Sequence, residues 1–321
     1  YKAVKPCFAI AVHTRQFQEA IGETCSYLSF LVPQEFIPFA FEQAFVLLDD
    51  FDIPHLFPLN MILRLLRATL DENVFNEKER IPQVLQVCLT EMSSSDMKKT
   101  CCVLDIIGLI SSLTQLETIL MGAFEEWSEA FFGSLLEVLS ELEEKEDDQT
   151  KQSFFHKADI KIRENLERNF RLVVSSVENT LTQEWEDTFL RYIRSNTAIF
   201  ACEEFGVIAA VLSEKNSKFV VKLQEVAKSV LSSDRSHKEI QWFVQIYSES
   251  LASCVELSEI SFEVESVVNL LLEHQEESIQ NLAGLVLHNY LVGLVSIVPK
   301  AYKGIPDWKV PSQENLETSV K

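Results

Sequence analysis

Apolar residues recur along most of this chain at intervals of three and four, the spacing of one helix face. Over 61–70, Ile62, Leu65, Leu66 and Leu70 share a face while Arg64 and Arg67 lie off it. After Pro82 the pattern returns through Val84, Leu85, Cys88 and Leu89, and over 125–142 through Trp127, Phe131, Leu135, Leu136, Val138 and Leu139. Proline is tolerated in a first helical turn, where its missing N–H is not needed. Pro38 is therefore expected to open a helix running to Leu48, and Pro82 another. Ser95 reads as the N-cap of a long apolar helix over 96–121, interrupted by Asp105 and by Ser111-Ser112. A bilayer span wants about 20 uninterrupted apolar residues, so this segment reads as an inner helix covered on most sides.

The organising stretch is 195–299, which reads as consecutive amphipathic helices joined by short polar turns. Two units of about 40 residues, 195–234 and 235–275, can be laid over each other. The first unit has Ile199, Phe205, Ile208, Ala209 and Leu212, then Phe219, Val220, Leu223, Val226, Ala227, Val230 and Leu231. The second has Ile240, Phe243, Val244, Tyr247 and Leu251, then Phe262, Val264, Val267, Val268, Leu270, Leu271 and Leu272. That is the length range of HEAT-like or armadillo-like repeats, in which each unit buries its face by stacking on neighbours. The expected fold class is all-α: stacked antiparallel helix pairs forming a HEAT/armadillo-like α-solenoid or irregular helical repeat. The expected organisation is a Phe-rich N-terminal helical region over 1–145, an acidic and polar linker loop over 146–156, a helical-repeat region over 157–299 and an extended tail over 300–321.

Composition fits this reading. With 8 Gly and 9 Pro in 321 residues, neither a turn-rich β protein nor a disordered chain is indicated. The formal net charge is -21, which repels nucleic acid over most of the surface. Residues 1–150 carry a balance of -15 and residues 151–321 one of -6. Over 157–194, seven Lys and Arg alternate with seven Asp and Glu, and Arg163, Glu167 and Arg171 stand at i, i+4 spacing. Such a band is ordinarily an exposed face with weak ion pairs. It is also the inner region able to offer Arg side chains to an acidic partner. From Glu239 to Pro299 there is no Lys or Arg against nine carboxylates, with Glu259 and Glu263 in the middle. A surface of one sign speeds encounter with a basic partner; uneven spacing of few cations is the plainer account. Seven Cys without paired spacing, and no glycosylation sequon, fit a reducing intracellular compartment, nuclear or cytoplasmic. No signal or transit peptide is visible, and Tyr1 in place of Met leads us to expect a piece of a larger polypeptide.

Candidate chemistry changes the picture little. Walker-type, dinucleotide-binding, Gly-X-Ser-X-Gly and His-Glu-X-X-His motifs are all missing from the sequence. The six His are scattered, and Cys101-Cys102 is a vicinal pair that reads as core thiols. Neither an enzyme nor a cofactor or metal is expected. Binding residues are sought instead in the Phe-rich region, where Phe36, Phe39 and Phe45 either pack between helices or line a groove for a partner helix. The apolar helix over 281–298 carries His288 and Asn289 near its middle and reads as buried by a neighbour or by a partner chain. Tyr302 and Trp308 are apolar anchors on the tail. The expected function is a non-enzymatic scaffold or adaptor that binds partner proteins within a multi-subunit intracellular complex, a nuclear genome-maintenance assembly being one setting. The alternatives are a membrane-trafficking or tethering adaptor and, third, a nucleic-acid-binding subunit.

Overall fold

The structure is a computed structural model that describes residues 15–50, 52–142, 152–195, 202–233, 235–254 and 261–302. Within these residues every regular element is helical, as the periodicity predicts. The chain divides into two compact units, 1–187 and 188–321.

The first unit contains α1 (Arg15–Leu31), α2 (Pro33–Leu48), α3 (Leu56–Leu70), α4 (Ile81–Glu91), α5 (Met97–Leu113), the short α6 (Leu116–Leu120), a 3₁₀ turn (Met121–Ala123), α7 (Phe124–Ser140) and α8 (Gln152–Ser176). The division falls within α9 (Asn179–Ser195). The second unit continues with α10 (Cys202–Lys215), α11 (Lys218–Leu231), α12 (His237–Ser253), α13 (Ser261–Leu272), α14 (Glu277–Gln280) and α15 (Leu282–Tyr302).

Several helix boundaries depart from the sequence reading for local reasons. Pro33, not Pro38, opens α2; Pro38 lies inside it and removes one N–H from the ladder. The N-cap of α5 is Asp96, whose carboxylate accepts from the Lys99 N–H, one residue after the expected Ser95. The long helix expected over 96–121 is broken. Thr114 is extended at φ -147, ψ 164, and α5 and the segment beginning at Leu116 meet at 98°. The Thr114 hydroxyl and N–H both bond to the Ile110 carbonyl, which satisfies the end of α5 without Gly or Pro. α8 begins at Gln152, inside the stretch read as linker, and α15 runs through Pro299 to Tyr302, into the stretch read as tail. Residues 303–321 lie outside the described residues.

Packing in each unit links consecutive helices and also alternate ones. In the first unit α1 packs on α2 and α3, α3 on α5, and α5 on α8. In the second, α10 packs on α12, α11 on α13, and α15 on both α12 and α13. The core of the first unit centres on aromatic rings: Phe132 stacks on Trp185 at 4.9 Å, and Trp127 on Phe131 at 5.4 Å. Phe170 joins them from α8 at 6.0 Å from Phe132. Trp127 donates its indole N–H to the Leu85 carbonyl at 3.2 Å, so the ring is fixed at both its apolar and polar ends. In the second unit Phe205 takes the corresponding central place, 6.0 Å from Phe189 and 5.8 Å from Trp242.

Candidate functional site

Two helices are buried on one side and apolar on the other. On α1 the inward residues are Ile21, Gly22, Cys25 and Ser29, facing α3. Phe17, Ala20, Thr24, Tyr27 and Leu31 point outward, with Tyr27 70% and Leu31 74% exposed. Their spacing of three, four, three and four is that of a coiled-coil seam, the arrangement that lets one helix lie along another. Phe30 adds a further exposed ring.

On α15 the inward residues are Ala283, Val286 and Gly293. A polar clamp sets the rotation of this helix. Asn289 donates its amide to the Ser248 hydroxyl on α12 at 2.9 Å, and that hydroxyl donates to the Leu285 carbonyl at 3.2 Å. With the amide half-buried and bonded to Ser248, Asn289 is turned toward α12. Leu287, Leu291, Val292 and Val295 are thereby carried outward, with Leu291 52% and Val295 62% exposed.

The residues singled out in the sequence are placed differently. Phe36 is fully buried, 6.3 Å from the half-buried Phe39, and the half-buried Phe45 stacks on the buried Phe41 at 6.1 Å. Arg171 donates to Glu167 at 3.0 Å one turn away, and Arg163 is half-buried. Arg168, which the sequence reading passed over, pairs with Asp105 on α5. Asp105 also accepts from Asn165 at 2.9 Å and from Asn169 at 2.7 Å. The charged band on α8 thus serves in part to seat that helix on α5. Glu263 falls in the first turn of α13 and Tyr302 ends α15, while Glu259 and Trp308 lie outside the described residues. The exposed face of α1 was missed because Phe17, Tyr27 and Leu31 do not differ in kind from their buried neighbours. Their three-four spacing was the available signal.

Among the described residues, five cysteines, His55 and His237 are engaged in packing or pairing. Cys25, Cys88, Cys102 and Cys254 are buried and Cys101 is half-buried. Burial pushes the Cys25 and Cys102 thiols up to about 12 and Cys101 to about 11, which suppresses the nucleophilic thiolate. His55 meets both carboxylate oxygens of Glu91 at 2.9 Å, and Lys99 shares Glu91 at 3.0 Å. His237 pairs with Glu276 at 2.8 Å. Among the described residues no three His, Cys, Asp or Glu gather as a metal site. A polar cleft of about 750 Å³ in the first unit is lined by Ser111, Thr114, Ser175 and Ser176 with Lys78 and Glu178. These four hydroxyls donate to backbone carbonyls three or four residues earlier at 2.7 to 2.9 Å, so their protons are already committed.

No protein-family model matches the sequence, and comparison with the curated proteins gave no match.

Proposed function

We propose that this chain is a non-enzymatic helical scaffold that binds partner proteins, its helix pairs stacking as irregular HEAT/armadillo-like repeats. The observation that carries the reading is the pair of helices α1 and α15, each seated on the core by one side and presenting apolar residues on the other. Clustered exposed apolar side chains mark surfaces that a partner covers. The repeat reading is supported by packing between alternate helices, α1 on α3 on α5 and α10 on α12, which is how stacked pairs bury successive faces.

The test is affinity purification of the full chain from its own cells, with quantification of co-purifying proteins. A stoichiometric partner is expected. Its yield drops with Tyr27→Ser/Leu31→Ser or with Leu291→Ser/Val295→Ser, both at exposed positions that leave the fold intact. A monodisperse monomer with no partner at stoichiometric yield would refute the scaffold reading.

The vesicle-surface reading draws on the same α15 stripe. Among the described residues no single helix is long and apolar enough to cross a membrane; α5 with the segment after Thr114 passes that test only as a pair bent by 98°. Surface binding would have to overcome the negative charge of the chain on anionic lipid. Co-sedimentation with phosphatidylserine-containing liposomes at low salt decides it, and no pelleting is expected.

A further inference from the structure

We infer that the exposed stripe of α15 docks a cationic amphipathic helix of a partner protein. This deepens the scaffold reading and rests on it, naming the partner's chemistry at one face. Leu287, Leu291 and Val295 succeed one another at intervals of four and span about 12 Å, two helical turns. Val292 widens the stripe on one side, and His288 lies on the same face. An α-helix keeps its own backbone hydrogen bonds, so its face offers no edge to which a strand could pair. A ridge of this length and width is met by a second helix that contributes apolar residues at i, i+4 and i+7.

Charge selects among helices. From Glu239 to Pro299 the chain holds nine carboxylates and no Lys or Arg. Glu265 on α13, Glu273 just after that helix and Glu277 on α14 are exposed, and both helices pack on α15. A second copy of this chain would bring carboxylates against carboxylates, and an anionic membrane would do the same. A helix with Lys or Arg flanking its apolar face brings opposite charge to this carboxylate-rich, cation-free stretch, which quickens encounter and fixes register.

The probe is a fluorescein-labelled synthetic helix with Leu at heptad a, d and e positions and Lys elsewhere, titrated with the full chain by fluorescence anisotropy. Two control peptides accompany it, one with every Lys replaced by Glu, the other with the Leu/Lys order scrambled. Saturable binding of the Leu/Lys helix is expected, weakening as salt rises. Binding about tenfold or more weaker is expected for both controls, and for the Leu/Lys helix on Leu291→Ser/Val295→Ser. Circular dichroism of that variant confirms its helix content, and the peptide controls use the unaltered chain, so a misfolded variant does not leave the question open. Equal binding of the Glu or scrambled peptide overturns the inference. So does binding indifferent to Leu291→Ser/Val295→Ser, or self-association on sedimentation that this variant abolishes. A cellular partner that depends on α15 but contacts it through an acidic or extended segment overturns this inference alone. Absence of any stoichiometric partner overturns the scaffold reading beneath it.

Discussion

At Gly108 a hydrogen stands where any other residue would place a methyl group against the Asn169 side chain, within 3.0 Å of its Cβ and closer still to its amide. That amide is one of three groups converging on Asp105. Gly108→Ala therefore has to displace a buried side chain that is already bonded, and a loss of about 1–3 kcal/mol in urea denaturation is expected. Asp105→Ala leaves Asn165 and Asn169 without their acceptor, with a cost of about 1–3 kcal/mol. Because both changes act through Asn169, the double variant loses less than the sum of the two. Nothing in the order of residues announces this node. Asp105 read as an interruption of an apolar run, and its partners lie about 60 positions away in α8. The fate of the cysteines was easier to read, since small apolar-leaning thiols in helical periods go inward by default.

The helices themselves were legible wherever an apolar face repeats over three turns or more, and least legible where they stop. The break at Thr114 has neither Gly nor Pro to signal it; a hydroxyl and an N–H sharing one carbonyl end the helix, an arrangement that exists once the chain has turned. The start of α12 is the opposite case. Ser236 and Glu239 form a reciprocal capping box, a four-residue pattern visible in sequence. Ser236→Ala is expected to cost about 1 kcal/mol in thermal or chemical unfolding. The Glu239 carboxyl is held below its ordinary value chiefly by the Ser236 hydroxyl. A carboxyl depressed in the folded state adds stability above its unfolded pKa and loses it as pH falls through the folded value. The Ser236→Ala penalty should thus be full at neutral pH and shrink in acid, which a set of unfolding curves from neutral to acid pH would check. The face of α15 was half legible: Asn289 stood out as polar in an apolar helix, but its partner Ser248 is 41 positions away.

At the scale of the whole chain the all-helical class followed from periodicity, whereas which helices lie together did not, because any amphipathic face can cover any other. A net charge of -21 was also plain from composition. It carries a consequence for stability, since like charges repel most in the compact state and salt screens them. Thermal midpoints should therefore rise by a few degrees between low and physiological ionic strength, measured by calorimetry in the same buffer. The buried thiols offer another handle on the same chain. Cys25, Cys88 and Cys102 sit in the first unit and Cys254 in the second, all shielded from solvent. An alkylating reagent can reach each one when its surroundings come apart, so pulse labelling followed by peptide mass spectrometry turns these side chains into separate clocks, and equal rates at Cys88 and Cys254 would mean that the two units open as one.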